Sequence, residues 1–338
     1  MKLQDRADAE TANDGVGQEM DQHESIPSDW ANQRVLLHVG FGHSATTSLQ
    51  TQFFAQRPDL FYLGHPNNIA GGFFSFLKYQ EDYLHDPKQM FELCRDEIFE
   101  HSERAGRPIV VSDELLTDTG EVYYAPRHLP GDLVAARLKQ YFPTAKILFT
   151  IRNQFDYVRS MYFNLKRNYA FLAGMPIAPF EEWWAGLQTQ VRCWYLGNLD
   201  YLPLIEVYAR LFGRENLLIL PLEDLKARGA EAYLESLCRL IGLPLLPGDV
   251  KRFGQPQNSR MTVVEERAAE LLAGRQCAPI LRQALENRAL ADLLPQAPRT
   301  ELLFDGTTTR QIQNRVAAGN RRLVQLFGLG LESLGYPI

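Results

Sequence analysis

Residues 34–54, RVLLHVGFGHSATTSLQTQFF, bring together residue types suited to holding an anion. Val35, Leu36, Leu37 and Val39 form an apolar run of strand length, interrupted by Gly40 and Gly42. His43, Ser44, Ala45, Thr46, Thr47 and Ser48 follow, and Leu49, Phe53 and Phe54 then fall at near-helical spacing. A strand, a loop of small residues and a helix aim several backbone N–H groups at one point, helped by the positive end of the helix dipole. A phosphate-bearing ligand is therefore expected at residues 40–48. The glycines alone are a weak signal, since glycine also ends strands for conformational reasons. Set against the triphosphate-binding pattern GxxxxGK[ST], Gly40 is followed after four residues by Ala45-Thr46-Thr47. Thr46 thus stands where a lysine would reach the β/γ-phosphates, which argues against an ordinary ATPase or kinase.

Two other apolar runs end in polar groups. Pro108-Ile109-Val110-Val111 leads into Ser112-Asp113-Glu114, and residues 145–151, AKILFTI, lead into Arg152-Asn153. The guanidinium of Arg152 can grip a phosphate through two parallel hydrogen bonds. Ser160 lies eight residues on, about two turns into the next helix, where it could join Arg152 at one ligand group. The alternative is that Arg152 pairs with Asp156 and Ser160 is a surface hydroxyl.

The elements that must position these groups alternate. Strands are expected at 35–39, 60–63, 108–111, 145–151 and 217–220. Helices are expected after the first loop and at about 72–84, 88–104, 132–141, 155–167, 179–199, 201–212 and 221–242, with a mostly helical remainder beyond Pro247. No internal repeat is visible. The fold class expected is α/β: a P-loop-like, doubly wound parallel sheet flanked by helices, with a largely helical C-terminal third. In such sheets ligands bind beyond the carboxyl ends of the strands, where polar strand ends converge.

The charge is unevenly distributed. Residues 1–33 carry eight acids against Lys2 and Arg6, which accounts for the whole net charge of −6; the rest of the chain is balanced. Residues 1–33 read as a disordered acidic tail, and residues 34–338 as one α/β domain with a helical insertion at about 65–105 and a helical C-terminal part at about 255–338. The neutral body offers no single-sign field for nucleic acid. No apolar run approaches membrane-spanning length, no basic-then-apolar leader is present, and cytoplasm is the expected compartment. Cys94, Cys193, Cys238 and Cys277 are far apart and read as buried, reduced thiols, with no metal expected. His38 and His43 are poorly spaced to share one.

The spacing Arg152-Asn153-x-x-Asp156-x-x-x-Ser160-x-Tyr162 resembles the motif by which sulfotransferases dependent on 3′-phosphoadenylyl sulfate (PAPS) hold the donor's 3′-phosphate. His43-Ser44-Ala45-Thr46-Thr47-Ser48-Leu49 is similar to the family's 5′-phosphosulfate loop, usually Lys-Ser/Thr-Gly-Thr-Thr, a small residue and Leu. Looser likeness continues through Tyr208, Phe212-Gly213, Glu215-Asn216-Leu217, Glu223-Asp224-Leu225 and Leu237-Cys238 to Leu243, so that it covers about residues 34–245. Asn258-Ser259-Arg260 sits where such enzymes often place a loop near the nucleotide. The resemblance implies transfer of a sulfuryl group to an acceptor hydroxyl, with adenosine 3′,5′-bisphosphate as the spent donor. It assigns donor contacts to Gly42, His43, Ser44, Ala45, Thr46, Thr47 and Ser48, and the 3′-phosphate to Arg152 and Ser160. His43 replaces the lysine that stabilises charge on the bridging oxygen, and Ala45 replaces a glycine.

The resemblance also directs attention to the general base, which must lie near the sulfuryl group on the same rim. Glu114 follows its strand where carbohydrate-type sulfotransferases carry a catalytic glutamate; alternatively it caps the next segment or pairs with a surface base. Asp113 could exchange roles with it, and His65 and His128 are weaker rivals. The glutamate position points to a glycan or glycolipid acceptor, with a small alcohol or phenol as the alternative. Tyr123-Tyr124, Trp183-Trp184 and Trp194-Tyr195 are either core or an acceptor groove, Tyr79, Tyr83 and His85 are equally open, and residues 65–105 could form an acceptor lid. A P-loop kinase, using Asp113 for magnesium, and a catalytically silent nucleotide-binding protein are the rival functions.

Overall fold

The computed structural model describes residue 30 and residues 32–66, 71–80, 84–101, 104, 106–117, 130–168, 177–189, 194–253, 261–272 and 298–338. The acidic segment 1–29, Tyr83, Tyr123-Tyr124, His128, Cys193, Asn258-Ser259-Arg260 and Cys277 lie outside the described residues, as do the side chains of Trp194 and Tyr195.

Five apolar runs pair into one parallel sheet: β1 (Val35–Gly40), β2 (Phe61–Gly64), β3 (Ile109–Ser112), β4 (Lys146–Ile151) and β5 (Leu217–Pro221). Their spatial order is β2-β3-β1-β4-β5. All four pairings are parallel, with His38 opposite Ser112 on one side and Leu148 on the other. After β1 the chain moves outward to β2 and back to β3, then crosses to β4 and β5. Strand order therefore reverses between β1 and β4, and the crevice beyond their carboxyl ends is the topological switch point.

The sheet is buried on both faces, which is why its strands read as continuous apolar runs rather than alternating ones. The longer helices are α1 (Gly71–Tyr79), α2 (Pro87–Cys94), α3 (Gly131–Tyr141), α4 (Gln154–Asn168), α5 (Phe180–Gln188), α6 (Leu202–Phe212), α7 (Leu222–Ile241), α8 (Pro247–Phe253), α9 (Val263–Leu272) and α10 (Gly306–Phe327). Val35, Leu37, Val39, Ile109, Val111, Ile147 and Phe149 pack with α3 and α6. Leu36, Val110, Leu148 and Leu220 face Leu49, Phe53 and Phe54 and the α7 residues Tyr233, Leu234 and Leu237. Each fully buried side chain of this kind contributes about 1.5–3 kcal/mol, so the two covered faces hold the strands in place.

Several helices stop earlier than their periodicity suggests. The segment expected at 88–104 is α2 followed by a π-turn over Arg95–Phe99, where Arg104 Nη1 donates to the Phe99 carbonyl at 2.8 Å. The segment expected at 179–199 divides. Thr189 Oγ1 donates back to Gly186 O at 2.8 Å at the end of α5, and a separate turn covers Trp194–Gly197. Side-chain donors that satisfy the last carbonyls, a guanidinium in one case and a hydroxyl in the other, stand where apolar spacing alone would continue the helix. Trp184 is buried, with Nε1 donating to Gln311 Oε1 at 2.8 Å, and Trp183 packs beside Tyr162 at 5.2 Å. This pair belongs to the core formed by α4, α5 and α10.

The C-terminal residues return to the end of β4. The Asp305 side chain accepts from Thr308 N at 2.6 Å to begin α10, and Gly328, at φ +66°, ends it. Beyond it, Asn153 Nδ2 donates to Gly335 O at 2.5 Å and Tyr336 OH donates to Glu223 Oε2 at 2.6 Å. Glu223 Oε1 accepts from Asn153 N at 3.0 Å. The turn that carries Arg152 is thus gripped from behind by two segments distant in sequence.

Candidate active site

The loop after β1 is shaped by three unusual backbone positions. Gly40 has φ +131°, and a Cβ there would lie 2.6 Å from Thr117 Oγ1. Glycine is required both by the conformation and by the close approach of the Glu114–Thr117 turn. Phe41 is buried, its N–H donating to Thr150 O at 2.7 Å. His43 at φ +61° and Ala45 at φ +66° are left-handed without being glycine, at about 1–2 kcal/mol each. Strain of this kind gathers at ligand clamps because the surrounding fold must hold it. Ser44 and Thr46 are buried, while Gly42, His43, Ala45, Thr47 and Ser48 are half-buried. Thr46–Ser48 is the first turn of a helical segment that continues as a π-turn over Leu49–Phe53 and a 3₁₀ turn over Phe54–Gln56. Its opening N–H groups have no carbonyl one turn back.

The backbone at residue 45 leads to a measurable expectation. Ala45→Gly removes the left-handed penalty and adds the unfolded-state entropy of glycine, for a net gain of up to about 1 kcal/mol. Denaturant unfolding should show equal or higher stability. A loss would mean that the alanine methyl contributes packing that outweighs its strain.

Arg152 follows β4 and reaches across the β1/β4 crevice. Its Nη1 donates to His43 O at 3.1 Å, and its own carbonyl accepts from Tyr201 OH at 2.7 Å. Asp156 accepts from Arg159 Nη1 at 3.0 Å, one helical turn away. Ser160 is half-buried on α4, two turns beyond Arg152. The His43 ring stands edge-on to Tyr157 at 5.7 Å. Burial, and secondarily the charge of Arg152, push its imidazole down to about 4. His43 is therefore neutral near pH 7. It can donate one hydrogen bond but brings no positive charge to the loop.

Glu114 opens the turn after β3, on the other side of β1. The Thr46 side chain stands near its carboxyl, and its Oε2 is buried with no hydrogen-bond partner. Burial pushes the carboxyl above its usual range, opposed by the polar Thr46 side chain and assisted by the charge of Asp113. Asp113 itself is engaged: Lys78 Nζ lies 2.5 Å from Oδ2, and Leu115 N donates to Oδ1 at 3.0 Å. His65 is exposed at the end of β2. Of these three acids and bases, Glu114 alone presents a buried, unpartnered oxygen beside the loop. Lys78 is absent from the sequence-derived site. Its only signal there was a lone cation in the apolar stretch GGFFSFLKY, where a buried lysine needs a partner.

Among the described residues, no group of three or more His, Cys, Asp or Glu side chains could hold a metal ion. No described helix is long and apolar enough to cross a membrane.

No family model matches the sequence, and no curated protein does. Solved structures do. A sulfotransferase from Alicyclobacillus acidocaldarius aligns over 89% of this chain and 98% of its own, at 16% identity and a TM-score of 0.55. The sulfotransferase domain from the curacin biosynthetic pathway aligns over 84% and 96%, at 15% identity and a TM-score of 0.40. A sulfotransferase domain from the Synechococcus PCC 7002 olefin synthase aligns over 80% and 98%, at 14% identity and a TM-score of 0.36. The first alignment is close enough to compare folds, and at that identity the comparison extends to the fold alone. The chain has a sulfotransferase-like α/β fold: a five-stranded parallel sheet flanked by helices, with a helical C-terminal region.

Proposed function

We propose that the protein moves a sulfuryl group from PAPS to an acceptor hydroxyl, with Glu114 as the general base. The observation that carries this is the meeting of three strand ends around one loop. Arg152 donates to the loop at His43 O across 3.1 Å, while Glu114, near Thr46 of the same loop, keeps a buried oxygen unpartnered. An orphaned buried carboxylate oxygen costs about 1–3 kcal/mol or more. A hydroxyl that enters the site and donates to it removes that penalty.

The donor, when bound, supplies a sulfuryl group already activated by its phosphate leaving group. The backbone of residues 42–48 and the hydroxyls of Ser44, Thr46, Thr47 and Ser48 hold its 5′-phosphate and sulfuryl oxygens. Arg152 and Ser160 hold the 3′-phosphate. Glu114 Oε2 accepts the proton of the acceptor hydroxyl, and its raised affinity for protons makes it a stronger base than an ordinary carboxylate. Neutral His43 would offer an N–H to the oxygen on which charge develops, with less stabilisation than a lysine gives. Thr46 links the two halves, since its side chain stands near the base and its N–H opens the helix.

The acceptor is a glycan or glycolipid, because Glu114 occupies the post-β3 position that resembles the glycan-sulfating branch; the alternative is a small alcohol or phenol. Trp183-Trp184 does not supply the stacking surface, being part of the core. Helices α1 and α2, within the 65–105 insertion, form the acceptor-side cover, with Lys78 fixing Asp113 beside the base. The kinase alternative needs an acid available to magnesium, and Asp113 is committed to Lys78. The buried free thiols of Cys94 and Cys238 suit a reducing cytoplasm.

Incubation with PAPS and separate panels of glycans, glycolipids and phenols tests the assignment. Acceptor-dependent release of adenosine 3′,5′-bisphosphate is the expected result. No release with any panel, alongside turnover of ATP–magnesium, would contradict it.

A further inference from the structure

His38 is a buried polar residue in the middle of an otherwise apolar strand, and neither donor nor acceptor chemistry accounts for it. It is 1% exposed, on the face of β1 that the helical segment 46–56 covers, with its ring 5.9 Å from Phe54. Both ring nitrogens are engaged: Nδ1 lies 2.7 Å from Ser112 Oγ and Nε2 lies 3.2 Å from Thr150 Oγ1. The neighbours fix the direction of these bonds. Thr150 Oγ1 donates to Gly40 O at 3.3 Å, so it accepts from His38 Nε2–H. His38 Nδ1 then accepts from the Ser112 hydroxyl, whose oxygen accepts from Gln50 Nε2 at 3.2 Å. The remaining Gln50 N–H goes to Ser112 O at 3.3 Å.

The result is a one-way chain of hydrogen bonds: Gln50 to Ser112, to His38, to Thr150, to the carbonyl of Gly40. It requires a neutral imidazole with its proton on Nε2. Each member sits a short step from a group of the candidate site. Gln50 lies on the helical segment that begins at Thr46, Ser112 is two residues before Glu114, Thr150 is two residues before Arg152, and Gly40 begins the anion loop. Apolar residues at these positions would fill the space equally well. They would not fix the relative heights of three adjacent strand ends.

We propose that His38 is a positioning residue, and that the chain from Gln50 to Gly40 sets the distance between the anion loop and Glu114. The catalytic part of this inference rests on the sulfuryl-transfer function proposed above; the structural part does not. A strand end that slips by about 1 Å can lower a rate by about 100-fold without abolishing binding. Loss of a relay bond should therefore appear in kcat more than in nucleotide affinity.

Thr150→Val keeps the shape of the side chain and removes one link, and Thr150→Ser restores the hydroxyl. His38→Leu is the more drastic variant and is liable to unfold. In the free protein, amide resonances should shift in Thr150→Val both at residues 42–48 and at Glu114, two strands from the substitution, and should return in Thr150→Ser. Shifts confined to β4 and the immediate neighbours of Thr150 would overturn the relay, whatever the loop binds. In turnover, Thr150→Val should lower kcat at least about tenfold, with the dissociation constant for adenosine 3′,5′-bisphosphate nearly unchanged and activity recovered in Thr150→Ser. An unchanged kcat per nucleotide-binding site would overturn the catalytic part. Wild-type protein that does not bind this nucleotide would instead refute the sulfuryl-transfer function, and the amide shifts would still decide the relay.

Discussion

Glu114→Gln is expected to lower turnover by about 10²–10⁴-fold, the scale of general base catalysis, while affinity for adenosine 3′,5′-bisphosphate changes little. Glutamine keeps the shape of the side chain and its contact with Thr46 but cannot take a proton. Steady-state rates and calorimetry on the same preparation separate the two effects. A variant with undiminished turnover would remove Glu114 from the chemistry. The same substitution has a stability signature of definite sign. Because burial raises the carboxyl's pKa in the folded state, the folded protein binds this proton more tightly than the unfolded chain does. The stability associated with the protonated carboxyl is complete below the ordinary glutamate pKa, about 4.3, and is lost as pH rises through the raised folded value. Glutamine carries no such dependence. Unfolding at about pH 4 and about pH 8 should therefore show the variant gaining on wild type at the higher pH. Activity of the wild type should rise with pH across the same window, as the base loses its proton.

Arg152→Ala is the second large effect. Removing a charged hydrogen-bond donor from a phosphate is expected to weaken adenosine 3′,5′-bisphosphate by about 2–3 kcal/mol, roughly 30–150-fold. Two contributions are combined in that figure, because Arg152 also holds the loop at His43 O. Comparing ligands separates them. Adenosine 5′-monophosphate lacks the 3′-phosphate, so any loss it suffers reports the slackened loop alone. Arg152→Lys should lie between wild type and alanine, since lysine keeps the charge but not the planar fork.

The sheet was legible in the sequence because each strand is buried on both faces and is therefore apolar throughout. The placement of residues 40–48, Glu114 and Arg152 at one rim followed from their positions directly after such runs. What was not legible depends on contacts that only the topology creates. Asp156 reads in sequence as a possible partner for Arg152, and in the fold it forms an ion pair with Arg159 at 3.0 Å. Nothing local to Asp113 reveals that Lys78, 35 residues earlier, neutralises it. Under the proposed function, that pairing favours Glu114 over Asp113 as the base. The protonation of His43 was equally hidden, since it follows from burial beside Arg152 rather than from sequence spacing. His38 drew notice only as a histidine poorly spaced to share a metal with His43; its partners lie on two other strands. The return of residues 328–338 to the turn behind Arg152 has no periodic signal at all, because its bonds to Asn153 and Glu223 are single long-range contacts.

The most direct test of the two-phosphate site is calorimetric titration with adenosine 3′,5′-bisphosphate and, separately, with ATP–magnesium. Micromolar binding of the 3′-phosphorylated nucleotide, lost in Arg152→Ala, is the expected result. Micromolar binding of ATP–magnesium, with none of the 3′-phosphorylated nucleotide, would contradict it.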